Sequence, residues 1–148
     1  MSQSPVDLCV RISLAHASLA LKLDVELGTY HGLSLGDFIV LRLLASAEDG
    51  RMAVTDLQRP MGMQLSAVTR ELVRLEKIGW IQRQSAGDDA VRVAAIRPVG
   101  RRLLNEALAT AEAVCADALR GVWRTPRQFP KHPCLTSAAQ RRWRPRGS

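Results

Sequence analysis

The sequence is poor in aromatic residues and in cysteine, and it has no long apolar run. Phe, Trp and Tyr together make up 4% of its 148 residues. No stretch reaches the roughly 18 apolar residues that a membrane-spanning helix needs, so we expect no membrane span. The N-terminal segment lacks the basic region and apolar core of a secretory signal. Cys9, Cys115 and Cys134 are odd in number and far apart. They favour neither a disulfide framework nor a zinc site, and they fit a reducing cytoplasm.

Acidic residues are missing from the C-terminal part of the chain. Residues 1–120 contain 14 Lys/Arg and 14 Asp/Glu, whereas residues 121–148 contain seven Lys/Arg and no acid. The whole net charge of +7 therefore lies in this tail, and the basic pI does not show that residues 1–120 bind nucleic acid. The tail also holds four of the seven prolines and no apolar periodicity, which predicts disorder for residues 121–148.

Motifs for catalysis or cofactor binding are absent from the sequence. There is no Gly-rich phosphate loop, nucleophile elbow or zinc-protease motif. The three histidines have no acidic or cysteine companions at ligand spacing, so we expect no metal site. The sequence supports neither an enzyme nor a bound cofactor.

The hydrophobic pattern predicts a mainly α fold with a small β-hairpin. Gly32, Gly62 and Gly79 are expected to stop helices, and Ser34 is expected to cap one. The first helix is apolar on two faces, which favours packing between its own domain and a partner chain. The predicted elements are helices at 5–30, 35–47, a brief helix capped by Thr55, helices at 65–78 and 98–119, a short strand at 52–54, and a hairpin of "WIQRQ" and "VRVAAI" around the turn "SAGDDA".

The helix predicted at 65–78 is the candidate functional element. Two short helices joined by a glycine turn and followed by a hairpin form a winged helix-turn-helix, whose second helix enters the major groove of DNA. At 100° per residue, its apolar positions are Leu65, Val68, Leu72 and Leu75, and its polar positions are Ser66, Arg70 and Lys77, with Thr69 and Arg74 flanking them. Arg70 and Arg74 could bind guanine or phosphate bidentately. The alternative is a solvated face on a helix that only packs against the core.

Three stretches, "HGLSLGDFIVLRLLA", "MGMQLSAVTRELVRLEKIGWIQR" and "AAIRPVGRRLL", resemble the MarR family of bacterial transcriptional regulators. The resemblance implies a homodimer, joined through helices 5–30 and 98–119 of a domain spanning residues 1–120, with residues 34–97 reading a double-stranded operator. It further implies a repressor released by a small aromatic ligand or by oxidation. The recognition-helix roles that it implies fall on Gln64, Ser66, Thr69, Arg70 and Arg74.

The sequence departs from the family pattern in three places. The family wing usually carries an Asp followed by two basic residues, but Asp88 precedes Asp89 and Ala90. Arg83 and Arg92 are then the only cations expected on the wing. Leu65 stands at a position that is often polar or basic. The basic tail follows the last predicted helix, where relatives continue into a final amphipathic helix.

Cys9, His16 and His31 each have a functional and a structural interpretation. Cys9 lies near the place where one MarR branch senses organic peroxides, but only Arg11 is a nearby cation, so a small buried hydrophobe is the favoured interpretation. His16 and His31 could line a ligand cleft, whereas packing or helix-end roles are commoner. Two alternatives to a DNA-binding regulator stay open: a winged-helix protein–protein interaction module, and a regulator impaired by loss of the final dimerisation helix.

Overall fold

The computed structural model describes residues 4–86 and 91–124, and it is mainly helical with one small antiparallel sheet, as the sequence predicts. The elements in chain order are α1 (Pro5–His31), α2 (Leu35–Ser46), a 3-10 turn (Glu48–Gly50), β1 (Arg51–Ala53), α3 (Val54–Met61), α4 (Leu65–Ile78), β2 (Ile81–Ala86), β3 (Val91–Ile96) and α5 (Pro98–Arg124). None of the helices in these ranges is long and apolar enough to cross a membrane.

Glycines and one capping box set the helix ends. Gly32, Gly62 and Gly79 end α1, α3 and α4 with φ of 65°, 60° and 90°, a left-handed conformation that costs glycine little. The Ser34 hydroxyl accepts from the Asp37 backbone N–H, and the Asp37 carboxylate accepts from the Ser34 N–H. The predicted glycine stops and the Ser34 cap are therefore confirmed.

The sheet has the strand order β1-β3-β2, and both pairs are antiparallel. The predicted hairpin is confirmed, with Ile81 opposite Ile96 and Ala86 opposite Val91. The turn prediction for "SAGDDA" was wrong at its start, because β2 continues in register through Ala86. The predicted cap at Thr55 was also wrong. Helix α3 already begins at Val54, directly after the last paired residue of β1, and its N-cap is Ala53.

One hydrophobic core joins the end of α1 to α2, α3, α4, the sheet and the first half of α5. Its buried members are Leu23, Leu27, Leu33, Phe38, Val40, Leu41, Leu44, Val54, Leu57, Val68, Leu72, Leu75, Ile81, Ala94, Leu104, Ala107 and Ala111. At about 25 cal/mol per Å² of apolar surface, each fully buried leucine contributes roughly 2 kcal/mol. This core fixes the face that α4 turns inward.

Both terminal helices extend past the core. Residues 5–18 of α1 are all exposed, although five of their side chains are large and apolar: Val6, Leu8, Val10, Ile12 and Leu14. Helix α5 continues to Arg124, so residues 120–124 correct the predicted end at 119 and the predicted tail from 121. The sequence holds no proline between Pro98 and Pro126, so no proline interrupts the helix over residues 120–124. The rest of the predicted tail lies outside the described residues.

Candidate nucleic-acid interface

Helix α4 turns one face into the core and the opposite face to solvent. Val68, Leu72 and Leu75 are fully buried. Because residues follow at 100° intervals, this burial points Arg70 and Lys77 outward. Both side chains are exposed, and neither forms an ion pair with any residue that the structure describes. Ser66 is also exposed, so the three predicted outward residues lie on one open face.

The start of α4 presents a further pair of predicted polar residues. Gln64 is the N-cap residue and is exposed, but its side chain does not cap the helix. Thr69 is half-buried, and its hydroxyl donates to the Leu65 carbonyl oxygen at 2.8 Å. The Gln64 amide is therefore open to a ligand, whereas the only proton of the Thr69 hydroxyl is already used.

Arg74 lies at the edge of the open face and is held by two carboxylates. Its guanidinium pairs with Asp37 of α2 and donates to Glu71 at 2.5 Å. The side chain of Asp37 is 2% exposed, while that of Arg74 is 45% exposed. Since Asp37 also caps α2, one carboxylate joins the start of α2 to the middle of α4. Arg74 was predicted to contact DNA, and its Nη2 is bound to two carboxylates of the protein while the side chain as a whole stays half-exposed.

Glu71 is the acidic neighbour of this pair. Burial raises the pKa of the Glu71 carboxyl, because desolvation disfavours its charged form. The side chain is 24% exposed and lies toward α2, beside Arg74. The negative charge of Glu71 is therefore placed at the edge of α4, away from Lys77 on the open face.

Arg83, predicted as a wing cation, is also paired. Its backbone N–H donates to Glu76 Oε1 at 2.9 Å, and its Nε donates to Glu76 Oε2 at 2.8 Å. These bonds hold the pKa of Glu76 below its ordinary value. They tie β2 to α4, so Arg83 supplies less free charge than the sequence suggests. Arg92 on β3 is exposed, and the predicted wing tip at 88–90 lies outside the described residues.

Trp80 and Gly100 fix the hairpin relative to the helices. The Trp80 backbone N–H donates to the Leu75 carbonyl oxygen, and its own carbonyl oxygen accepts from the Arg97 N–H at 2.9 Å. A Cβ at Gly100 would overlap that carbonyl oxygen and lie 3.1 Å from its carbon. Helix α5 can approach this closely only because residue 100 has no side chain.

The predicted sensor and ligand residues do not form one site. Cys9 is exposed, so its predicted burial as a small hydrophobe was wrong for the single chain. His16 is exposed, while His31 Nε2 lies 2.8 Å from Thr110 Oγ1 at the end of α1. Fifteen positions at 1.5 Å separate the two histidines by about 22 Å along the helix, so they do not line one cleft. Cys115 is half-buried against the core, and Cys134 lies outside the described residues.

An open cleft of about 590 Å³ lies between α1 and α5. Leu21 and Val25 form its apolar wall on α1, and Ala113 and Val114 face them from α5. Lys22, Glu26 and Asp117 complete the lining with charge. The cleft has the size of a small-molecule site.

The sequence analysis missed two carboxylates that position the interface. Asp37 sits in the Ser-x-x-Asp pattern at 34–37, which resembles a capping box and could have identified its local role. Glu76 had no such signal, because its partner Arg83 belongs to the next element. Among the residues described, no group of three or more His, Cys, Asp or Glu could hold a metal ion.

Comparison with known proteins shows which proteins share this fold. The MarR family model matches residues 33–90. A MarR-family regulator from Streptomyces coelicolor, Sco3205, solved in complex with DNA, is 23% identical with a TM-score of 0.71, over 84% of this chain and 82% of that one. A probable transcriptional regulator from Pseudomonas aeruginosa is 27% identical with a TM-score of 0.65, over 77% and 83%.

A third solved structure with this fold contains a ligand. CouR from Rhodococcus jostii RHA1, bound to p-coumaroyl-CoA, is 21% identical with a TM-score of 0.70, over 82% of this chain and 84% of that one. No curated protein matches the chain significantly.

Proposed function

We propose that the chain is a transcriptional regulator of the MarR family that binds specific sites in double-stranded DNA, and the match of that family's model to residues 33–90 supports this. The observation that carries the proposal is the open face of α4, where Ser66, Arg70 and Lys77 are exposed beside a buried apolar face. The two acidic residues of the same helix, Glu71 and Glu76, each form an ion pair with an arginine, so their negative charges are neutralised. An outward face with free cations fits an anionic partner.

The contacts divide the predicted residues into two groups. Arg70 is the residue that reads a base, since its guanidinium is free to bind guanine O6 and N7 bidentately. Gln64 and Ser66 bind base edges or phosphate, and Lys77 and Arg92 bind phosphate. Arg74, Arg83 and Thr69 act differently: they position α4, the wing and the first helical turn through Asp37, Glu76 and the Leu65 carbonyl group.

The regulator acts as a homodimer. The N-terminal half of α1 exposes five large apolar side chains, and Leu21, Val25 and Leu119 continue this surface on α1 and α5. Monomeric proteins rarely expose so much contiguous apolar surface. A second copy, related by a two-fold axis, would cover it and place two α4 helices on successive turns of DNA.

We also propose that the protein is a repressor and that a small aromatic ligand binds it and releases it from its operator. Its candidate site is the cleft between α1 and α5, where an apolar wall faces a few charged groups. The size of the cleft and the p-coumaroyl-CoA seen in CouR support this choice. Titrating the operator complex with a series of aromatic acids tests the ligand, and Lys22→Ala tests the cleft, because Lys22 lines it but is not one of the exposed apolar residues of the dimer surface.

Recovery of bound fragments from the source genome tests the proposed function. The recovered DNA should share one pseudo-palindrome, and its footprint should be two-fold symmetric with half-site centres about 10 bp apart or a multiple of that. Unrelated DNA of equal length is the control. Equal affinity for recovered and unrelated fragments would contradict DNA-sequence recognition and favour a protein-docking module.

A further inference from the structure

Two exposed apolar side chains stand at the start of α4. Leu65 is 44% exposed and Met63 is 37% exposed, on either side of the N-cap residue Gln64. The other three apolar positions of the predicted stripe, Val68, Leu72 and Leu75, are fully buried. Leu65, which the helix projection places on the same side as these three residues, is therefore exposed, and its exposure needs a separate explanation.

The surroundings of Leu65 join it to the open face of α4. Thr69 lies one turn further along, where side chains four positions apart are neighbours. The Thr69 hydroxyl donates to the Leu65 carbonyl oxygen, so its remaining methyl group adds to the apolar surface. Ser66 and Arg70 follow these two residues in the sequence and are exposed. A small apolar patch, formed by Leu65 and the Thr69 methyl group, therefore borders the polar DNA-facing residues.

The major groove offers one apolar group for such a patch. Among the base edges there, only thymine presents a methyl group, at C5. The N-terminal residues of a recognition helix are the ones that contact base edges. We propose that Leu65 determines specificity by packing against a thymine methyl, with Met63 beside it. This inference rests on the proposed DNA-binding function and names the base that the start of α4 selects.

The charge around the patch favours DNA over an apolar protein partner. Arg70 and Lys77 on the adjoining face have no ion-pair partner among the described residues. Covering these cations with an apolar protein surface would cost their hydration without compensation, whereas phosphates neutralise them. So few side chains do not form a protein interface by themselves, because a specific interface involves about 20–30 residues on each partner.

Replacing thymine by deoxyuridine removes the methyl and nothing else from the base. On a site recovered from the genome, each thymine of a half-site is replaced in turn, and the Kd of the wild-type chain is measured at one fixed salt concentration. One position per half-site should lose about four-fold in affinity, the factor that corresponds to about 0.8 kcal/mol per buried methyl-sized group. Leu65→Ala removes the contact in both half-sites, so it should lose about the square of that factor on the natural site. It should also no longer respond to deoxyuridine at that position.

Ile78→Ala is the matched control, because Ile78 is 48% exposed at the far end of the same helix. This variant should keep the full deoxyuridine effect. A wild-type chain that binds its site specifically but responds to deoxyuridine at no position would overturn the inference and leave the proposed function standing. A deoxyuridine effect that persists in Leu65→Ala would also overturn it. Absence of any preferred DNA sequence would refute the proposed function, and this inference with it.

Discussion

Arg74→Met should destabilise the fold much more than Arg70→Met, although both remove one arginine from the exposed side of the same helix. The Arg74 guanidinium pairs with Asp37, whose side chain is 2% exposed, whereas Arg70 has no ion-pair partner in the described part of the chain. Met fills a volume similar to the apolar stem of arginine, so the comparison isolates the charged end.

The magnitude follows from what each variant leaves behind. Without Arg74, the Asp37 carboxylate stays buried, and the Ser34 N–H is the one donor left to it among the residues that the structure describes. Breaking a buried ion pair in this way costs about 3–5 kcal/mol, and we expect about 3 kcal/mol because Arg74 is itself half-exposed. Asp37→Asn should cost less, about 1–2 kcal/mol, because the freed guanidinium keeps Glu71 and solvent. Arg70→Met should change the free energy of unfolding by no more than about 0.5 kcal/mol.

Denaturant unfolding followed by circular dichroism measures these differences, at one protomer concentration because dimerisation adds to stability. The double variant Arg74→Met/Asp37→Asn closes a cycle, and its cost should fall well below the sum of the two single costs. The reasoning is refuted if Arg74→Met and Arg70→Met are equally mild. Additive costs in the cycle would likewise show that the ion pair does not join α2 to α4.

Three further predictions concern the dimer, the hairpin and the wing. The double variant Ile12→Glu/Leu14→Glu should be a monomer by light scattering, because both side chains lie on the exposed apolar half of α1. The control Ile39→Glu, on α2, should stay dimeric. A dimeric double variant would show that this half of α1 is not the dimer interface. Gly100→Ala should lower the free energy of unfolding by about 1–3 kcal/mol, because the new Cβ would overlap the Trp80 carbonyl group. Gly28→Ala is its control and should leave the free energy of unfolding unchanged or raise it, because a Cβ there would make only an ordinary contact with the Leu33 carbonyl oxygen. Because folding lowers the pKa of Glu76, its ionised carboxylate stabilises the fold above the ordinary carboxyl pKa, and this stabilisation is lost as pH falls through the pKa in the folded state. The wild type should therefore exceed Glu76→Gln in free energy of unfolding by more near pH 7 than near pH 3. A difference that does not change with pH would contradict this.

Local signals predicted most of the fold. The bounds of α4 coincide with the predicted 65–78, because the apolar period, the preceding turn and Gly79 all act within a few residues. Ser34 and Gly32 fixed the α1–α2 junction in the same way. These signals are short-range, so a single sequence contains them in full.

Long-range features could not be predicted in the same way. The pairing of Arg74 with Asp37 joins positions 37 residues apart, and nothing local distinguishes Arg74 from Arg70. The apolar period does not tell where the neighbouring elements end, so it groups the exposed Leu65 with the three buried residues of α4. For the same reason the two apolar faces of α1 favoured a partner chain but did not tell which residues of α1 its own domain buries.

The affinity of Arg70→Ala for a recovered genomic site tests the central claim most directly. Arg70 is exposed and unpaired within the described chain, so its removal should leave the fold intact and act only on the DNA complex. We expect a loss of about 1–3 kcal/mol on the specific site, with little change on unrelated DNA and relaxed preference at one base pair. Equal affinity of the wild type and Arg70→Ala for the specific site would contradict the assignment of α4 as the element that reads DNA.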